Sequence, residues 1–358
     1  MIVDVHIHFL SPHAIETARK APGRHGVRVR DDGPRPTLCI GDEPPTRPLL
    51  EPLYTLDRHL DFLRAQDIDA AVFGPLMDVG GYSLPPATGA SWSRVQNEAL
   101  AASLESAISR SAPGIPGRDE RGGAWGAISG PPMSWVGLAA VPLQDPQLAA
   151  DELRFAVERL GLRGAMIDPN ALGRPLGDRA FDPFWRAAAD LGAPVILHPF
   201  LLEAVERFGR HYLHNLVGYP FETTLAAASL ILGGTLDRFP ALDVVLVHGG
   251  GFLPYHIGRF DRGHGGRDEV RADGAGRPSG YVRRFHYDTL VQFPRALAYL
   301  VDVVGADRVL LGSDHPFWMG DPQPRAVVSE AGLGADARRL ILGDNAARLF
   351  KLTEAHTQ

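Results

Sequence analysis

The chain has little cysteine and no long apolar run, and each shortage excludes a class of protein. A single cysteine, Cys39, rules out an intrachain disulfide and suits a reducing compartment. No apolar run reaches the roughly 18 residues that a membrane-spanning helix needs, and no basic and then apolar leader opens the chain. We therefore expect a cytoplasmic protein that has no contact with a membrane.

Basic residues are fewer than acidic ones. The formal net charge of the 358 residues is −6 at pH 7, which argues against a nucleic acid as partner. The only lysines are Lys20 and Lys351. The apolar fraction of 45% and the charged fraction of 22% are those of a globular protein that can bury a substantial core.

Short apolar runs alternate with helix-like segments along most of the chain. The runs are residues 2–8, 70–73, 136–141, 165–167, 194–198, 244–248, 285–290 and 309–312. Helical patterns separate them at 56–65, 93–109, 146–160, 182–191, 223–238 and 293–303. Apolar strands joined by helices are typical of a parallel sheet covered by helices, and eight such units predict an α/β fold, a (β/α)8 TIM barrel. We expect one domain over residues 1–358.

Three polar stretches interrupt this alternation. Residues 21–52 are rich in Arg, Pro, Gly and Asp, and we interpret them as a small inserted segment after strand one. Residues 111–132 contain many Gly and Pro and predict a mobile loop. Residues 262–280 are rich in Gly and Arg and have no helical periodicity. Each stretch is long for a connection, so we expect a lid or disorder there.

Histidines and one aspartate end four of the predicted strands. His6 and His8 lie two residues apart on strand one, so their side chains point to the same side. His198, His248 and Asp314 end three further runs. Catalytic groups of such barrels lie at the carboxyl ends of the strands, and imidazoles with a carboxylate suit a divalent ion such as zinc. The pattern predicts one metal site.

Other aromatic and imidazole side chains have less certain positions. Phe200 and Trp318 follow ligand positions, and they either line the substrate pocket or pack in the core. His315, next to Asp314, has either a structural or a catalytic role. We expect the remaining histidines in helical or loop contexts at the surface, namely His13, His25, His59, His211, His214, His264 and His356.

Four motifs together carry a family resemblance. They are Asp-Val-His-Ile-His at 4–8, Leu-His-Pro at 197–199, His-Gly-Gly-Gly at 248–251 and Gly-Ser-Asp-His-Pro-Phe at 312–317. In combination they resemble the amidohydrolase superfamily, and more closely its branch of non-oxidative decarboxylases typified by 2-amino-3-carboxymuconate-6-semialdehyde decarboxylase. Residues 217–224 and 254–259 and Asp288 are similar to the same branch. The resemblance is weakest over 21–52 and 111–132.

The resemblance implies roles at the metal. His6, His8, His198 and Asp314 would be the ligands of one divalent ion, zinc first and manganese as the alternative. His248 would be the acid–base catalyst, and Asp314 would also act in catalysis. A binuclear site bridged by a strand-four lysine is excluded, because strand four reads Gly-Ala-Met-Ile-Asp. The first histidine of the pair favours the semialdehyde-decarboxylase type over the resorcylate type.

The resemblance also implies roles away from the metal. Arg259 would reach into the active site of a neighbouring subunit in a homodimer, and from its spacing we expect it in the loop after strand six. Arg47 would bind a substrate carboxylate, which suits the bidentate fork of an arginine. Glu222 would support His248.

The expected activity is therefore metal-dependent decarboxylation of an unsaturated or aromatic carboxylic acid, within aromatic catabolism. Two routes stay open: addition of hydroxide before carbon dioxide leaves, or protonation of a ring carbon by Asp314. A hydrolase of a lactone or amide and a hydratase are the alternatives within the superfamily. A barrel that only binds its ligand is the alternative outside it. The motifs do not specify the substrate.

Overall fold

Two parallel sheets form the centre of the protein. The structure, a computed structural model, describes residues 1–110, 134–200, 205–273 and 276–352. The first sheet contains β1 (Val3–His8), β2 (Ala70–Gly74) and β3 (Ser134–Gly137), in that order. The second runs in chain order through β4 (Ala165–Ile167), β5 (Val195–Leu197), β6 (Val244–Leu246), β7 (Phe285–Asp288) and β8 (Val309–Leu310).

Backbone contacts join the two sheets at both edges. Ala139 bridges in parallel to Ala165, which connects the end of β3 to β4, and Ile7 of β1 bridges to His315 beyond β8. The Val5 amide also donates to the carbonyl of Leu311 at 2.9 Å. The eight strands therefore follow one another around a ring in chain order, as in a TIM barrel. The predicted α/β fold is confirmed.

Helices connect and cover the strands. The α-helices are α1 (Pro12–Lys20), α2 (Leu56–Ala65), α3 (Pro86–Arg110), α4 (Pro146–Leu160), α5 (Asp182–Leu191), α6 (Tyr219–Leu232), α7 (Thr235–Arg238), α8 (Leu253–Gly266), α9 (Asp268–Arg271), α10 (Pro294–Val304), α11 (Pro324–Glu330), α12 (Ala335–Arg339) and α13 (Asn345–Leu349). None of the described helices is both long and apolar enough to cross a membrane.

The ends of α4 explain why its bounds could be predicted. The Asp145 side chain accepts hydrogen bonds from the amides of Gln147 and Leu148 at the start of the helix. Pro146 takes the first helical position, where its missing N–H costs nothing. Gly161 ends the helix with a φ of 71°, in the left-handed region that favours glycine.

The range 21–52 forms structure of its own beside the ring. Val27–Arg30 pairs antiparallel with Thr37–Ile40, and both strands lie outside the ring of parallel strands. Leu38 and Leu49 from this range are buried in a small apolar cluster with Trp92 of α3. That this range is an insertion stays a prediction. The expected loop at 111–132 lies outside the described residues.

The prediction for residues 262–280 was wrong in its first half. Helix α8 continues to Gly266, and α9 follows at once. Glycines at 258, 263, 265 and 266 lower the helix propensity of this sequence and hide the helical pattern. Tertiary contacts outweigh that deficit: Asp261 on α8 accepts hydrogen bonds from the Arg277 side chain at 2.6 Å and the Ser279 amide at 2.8 Å.

Candidate metal centre

The structure brings five predicted side chains together at the carboxyl ends of the strands. His6 and His8 lie on β1, and His198 directly follows β5. His248 lies two residues beyond β6, and Asp314 four residues beyond β8. All are buried except His248, whose side chain is 17% exposed. The reactive groups therefore meet at the end of the ring where the barrel rule predicts them.

Three atoms at the centre form a tight triangle. Asp314 Oδ1 lies 3.2 Å from His6 Nε2 and 3.1 Å from His8 Nε2, and these two nitrogens are 3.3 Å apart. His6 Nδ1 lies 2.8 Å from Asp288 Oδ2, and His8 Nδ1 lies 3.1 Å from the Pro75 carbonyl. Because both outer partners accept, each Nδ1 carries a proton, and Nε2 is the nitrogen of each ring that could bind a metal ion.

Two more histidines complete the cluster. His198 Nε2 lies 3.6 Å from Asp314 Oδ1, and His248 Nε2 lies 3.8 Å from Asp314 Oδ2. One ligand atom from each of His6, His198, His248 and Asp314 falls within 4.8 Å of all the others. This group contains His248 where the family resemblance implies His8, so the two candidate ligand sets share three residues.

The chemistry of the site fits a divalent metal ion. Among the described residues, Asp314 Oδ1 and both ring nitrogens of His198 have no hydrogen-bond partner, although they are buried. Buried polar atoms without partners are costly, and a cation bound between them would satisfy them. Imidazole nitrogens with one carboxylate are the donor set of zinc and related ions. We therefore describe the cluster as a divalent-metal site.

The electrostatics of the cluster also favour a cation. Burial lowers the pKa of His6, but the charge of Asp314 and the hydrogen bond to Asp288 outweigh it and raise that pKa to about 10. Burial likewise raises the pKa of Asp314, yet His6 and the other histidines hold it well below its usual range. Burial and then His8 depress the pKa of His198, which keeps this imidazole neutral and able to bind a metal.

Asp288 connects the metal site to the loop that bears His248. Its Oδ2 accepts from His6, and its Oδ1 accepts from the Gly249 amide at 2.8 Å and the Leu290 amide at 3.2 Å. In the sequence analysis Asp288 is only part of the resemblance and has no role. Its place as the last residue of β7 is the signal that could have assigned it to the site.

The backbone is strained at two of the cluster residues. His248 has a φ of 55° and Asp314 a φ of 59°, a region that residues other than glycine enter rarely. Strain of this kind is of order 1–3 kcal/mol per residue and concentrates at functional sites. This backbone conformation directs the side chains of His248 and Asp314 toward the centre of the ring.

A cavity of about 880 Å³ opens onto the cluster. His8, His198, His248 and Asp314 form its floor, and the predicted pocket residues Arg47, Phe200 and Trp318 line it as well. Trp318 is 88% exposed, so it stands at the rim and does not pack in the core. Phe200 is half-buried, and its amide donates to Asp168 Oδ2 at 3.2 Å. Arg47 is exposed and enters the cavity wall from the 21–52 range.

Arg259 and Glu222 lie farther out. Arg259 was expected in a loop after strand six, and this was wrong: it lies on helix α8, because the helix begins at Leu253. Its side chain is exposed and does not line the cavity of its own chain. Glu222 is buried on α6, where Asn170 Nδ2 donates to its Oε2 at 3.3 Å. Its support of His248 stays a prediction.

The surface position expected for His59 was wrong. His59 is fully buried, with its ring edge-on to Phe9 and Phe73 at 5.5 Å from each. Burial lowers its pKa to about 3, so it is neutral. His315 lies 5.0 Å from it and stacks on Phe62 at 4.0 Å, which indicates a packing role for both imidazoles.

Several cavity residues were given no role from the sequence. Asp78, Tyr219 and His214 line the same cavity as the metal cluster. Asp78 lies four residues beyond β2, so the rule that site residues follow strand ends could have found it. Tyr219 begins α6 and lies in the 217–224 stretch of the resemblance, which is the signal that could have found it. His214 precedes α6, and no sequence pattern marks it.

Residues 3–352 match the amidohydrolase family. The chain belongs to this family. It is 35% identical over 227 residues to 2-amino-3-carboxymuconate-6-semialdehyde decarboxylase of Dictyostelium discoideum, a match that covers 63% of each protein and so less than two thirds of that relative. It is 32% identical over 234 residues to gamma-resorcylate decarboxylase of Polaromonas sp., covering 62% of this chain and 72% of the relative. The predicted resemblance to the family and its decarboxylase branch is confirmed.

The fold of this amidohydrolase matches solved structures over nearly its whole length. A dihydroxybenzoic acid decarboxylase from Polaromonas sp. JS666, solved with bound manganese and the inhibitor 2-nitroresorcinol, superposes with a TM-score of 0.75. The match covers 98% of this chain and 97% of that one at 20% identity. At this identity the likeness supports the fold alone.

Substituting Asp288 with asparagine tests its control of the His6 tautomer. The asparagine must keep its oxygen toward the Gly249 and Leu290 amides, so its NH2 group would face His6 Nδ1. We expect His6 to move its proton to Nε2 and the metal affinity to fall about 10- to 100-fold. Competition with a chromophoric chelator measures the affinity.

Asp243→Asn is the matched control, because Asp243 also lies beside a histidine, His286, at 3.5 Å but outside the metal cluster. It should leave the metal affinity unchanged. Equal affinities of Asp288→Asn and the wild type would show that Asp288 does not set the tautomer.

Proposed function

We propose that the protein is a metal-dependent carboxy-lyase that removes carbon dioxide from an unsaturated or aromatic carboxylic acid, in aromatic catabolism. The observation that carries the proposal is the buried triangle of His6, His8 and Asp314 at the floor of a cavity large enough for such an acid. The sequence relatives named above are decarboxylases, which favours loss of carbon dioxide over hydrolysis or hydration.

We propose His6, His8, His198 and Asp314 as the metal ligands. A divalent ion bound there would act as a Lewis acid and lower the pKa of bound water to about 7. Zinc suits the nitrogen-rich donor set, and manganese is the alternative, since a structural relative contains it. The Nδ1 hydrogen bonds of His6 and His8 orient the rings so that both Nε2 atoms would face the ion.

His248 suits a proton-transfer role better than the other histidines. It is the least buried imidazole of the cluster and lines the cavity, so a substrate atom can reach it. Of the four Nε2 atoms, that of His248 lies farthest from an Asp314 oxygen, at 3.8 Å. His248 would accept a proton and return it, and Asp314 would protonate a ring carbon if the reaction takes that route.

Arg47 would hold a carboxylate of the substrate, because its exposed guanidinium enters the cavity wall and forms no ion pair with a described residue. Phe200 and Trp318 would contact the apolar part of the substrate from the wall and the rim. Glu222 would support the His248 loop from α6.

A homodimer would explain the position of Arg259. Large apolar side chains are exposed around it on three neighbouring helices: Phe221 and Leu225 of α6, Tyr255 of α8 and Tyr299 of α10. Tyr255 lies one helical turn before Arg259, so both share a face of α8. A second copy that covers this face would bury the apolar patch and receive the arginine at its active site.

Carbon dioxide release tests the proposed activity. The metal-loaded protein should release carbon dioxide from at least one acid in a panel of carboxylated phenols and muconate semialdehydes, and protein treated with a chelator should release none. Elemental analysis should find about one divalent ion per chain. His198→Ala, which removes a ligand shared by both candidate sets, is the negative control.

Lactones and unsaturated diacids belong in the same panel. Ring opening without carbon dioxide would replace the proposal with a hydrolase, and addition of water would replace it with a hydratase. Tight binding of a panel member to metal-free protein without turnover would favour a binding protein.

Alanine substitutions of His248 and His8 separate the two candidate ligand sets. If His248 moves a proton, His248→Ala should keep about one metal per chain and lose kcat by at least about 10²-fold. His8→Ala should lose most of the metal. Metal analysis and steady-state kinetics give both readouts, and His13→Ala on the exposed face of α1 is the control. Metal lost from His248→Ala but kept by His8→Ala would make His248 the ligand.

Subunit mixing tests the shared site. Arg259→Ala should be nearly inactive, because a charge-assisted contact with the partner's substrate, of about 1.5–3 kcal/mol, is lost. Mixing it with inactive His248→Ala should restore part of the activity, since one site of the mixed dimer has both residues. Arg159→Ala, an exposed arginine of α4, should behave as wild type. An active monomer in sedimentation, or no recovery after proven subunit exchange, would contradict the shared site.

A further inference from the structure

Asp78 places a carboxylate in the cavity wall, away from the metal cluster. It lies in the short helical turn Met77–Val79 that follows β2, and its side chain lines the cavity together with His8 and Arg47. It is half-buried. No described residue forms an ion pair with it or donates a hydrogen bond to it from outside its own backbone.

The turn that carries Asp78 is held rigidly. Trp92 Nε1 donates to the Val79 carbonyl at 2.7 Å, and both residues are fully buried. Leu76, on the other side of the turn, is 1% exposed, and its carbonyl accepts from the Val79 amide at 3.2 Å. The backbone of the turn is therefore held in place, which keeps Asp78 at the cavity wall.

Arg47, a charged group that lines the same cavity, does not pair with Asp78. His8 and, less strongly, Arg47 lower the pKa of Asp78 electrostatically, yet Arg47 and Asp78 form no ion pair within 4.0 Å. Burial is the larger effect and raises that pKa. A cavity with a separate arginine and a separate carboxylate presents two distinct recognition points, one for an anion and one for a hydrogen-bond donor.

We propose that Asp78 is a specificity-determining residue that accepts a hydrogen bond from an amino or hydroxyl substituent of the substrate. The inference rests on the proposed function and names its substrate class: a carboxylic acid that carries such a donor away from the carboxylate at the metal. A site built to accept a donor rejects the analogue that lacks it, because its own polar group is then left unpaired. Asp78 also repels a second anion at this position.

Binding of matched probes to the metal-loaded protein tests this inference. The probes are benzene-1,3-dicarboxylate, its 4-amino and 5-amino derivatives, and benzene-1,3,5-tricarboxylate, with affinities from titration calorimetry. The wild type should bind at least one amino derivative about tenfold or more tightly than the parent, and the tricarboxylate less tightly than the parent. Asp78→Ala should lose the preference for the amino derivative.

Asp78→Asn gives a sharper readout. It keeps an acceptor oxygen and loses the charge, so it should keep part of the amino preference and bind the tricarboxylate more tightly than the wild type does. Glu43→Gln removes another carboxylate that lines the same cavity, but at an exposed position, and should leave both preferences unchanged.

The inference is overturned if the wild type does not distinguish the amino derivatives from the parent, including by binding none of them. It is also overturned if Asp78→Asn weakens all probes by the same factor, as a purely structural residue would. These are binding measurements and involve no turnover. A failure to release carbon dioxide would therefore contradict the proposed activity but would not decide the inference about Asp78.

Discussion

Two imidazole nitrogens and one carboxylate oxygen meet at the centre of the barrel, and the site depends on the positive charge that is bound between them. The Nε2 atoms of His6 and His8 and Oδ1 of Asp314 are 3.1–3.3 Å apart, a distance at which electron-rich atoms repel unless a proton or a metal ion lies between them. The backbone that brings them together also closes the ring. The Asp314 amide donates to the His6 carbonyl at 2.8 Å, and the His8 amide donates to the His315 carbonyl at 2.9 Å. Closure of the barrel and assembly of the site are therefore one event.

Asp288 connects two parts of the site that come from different strands. It fixes the ring of His6 through one oxygen and the backbone at Gly249 through the other, so the ligand on β1 and the loop after β6 share one carboxylate. Gly312 leaves room for this arrangement, since a Cβ there would lie 3.0 Å from the Cβ atoms of both His6 and Asp288. The close packing of His6 and Asp288 against position 312 therefore explains the glycine of the Gly-Ser-Asp motif.

The sequence predicted the parts of the molecule whose signals are local. Buried strands are short apolar runs, and helices such as α4 carry their own start and stop residues. The residues of the metal cluster could be predicted because they follow the ends of those runs. His59 and helix α8 were missed because their positions follow from tertiary packing: a helical histidine turned inward, and a glycine-rich helix held by Asp261. Asp78, four residues beyond β2, could have been found by the same strand-end rule, and the cavity that it lines gives a second reason to select it.

The two ends of the cavity are built from different parts of the chain. The reactive end rests on the ring strands, where hydrogen bonds from Nδ1 to Asp288 and to the Pro75 carbonyl orient the rings of His6 and His8. The wall that carries Arg47 comes from the 21–52 range, which packs in its own apolar cluster through Leu38, Leu49 and Trp92. The same tryptophan anchors the turn of Asp78. Substitutions in this cluster can therefore reshape the wall while the ring strands keep the metal geometry, so that substrate choice can change without loss of the chemistry.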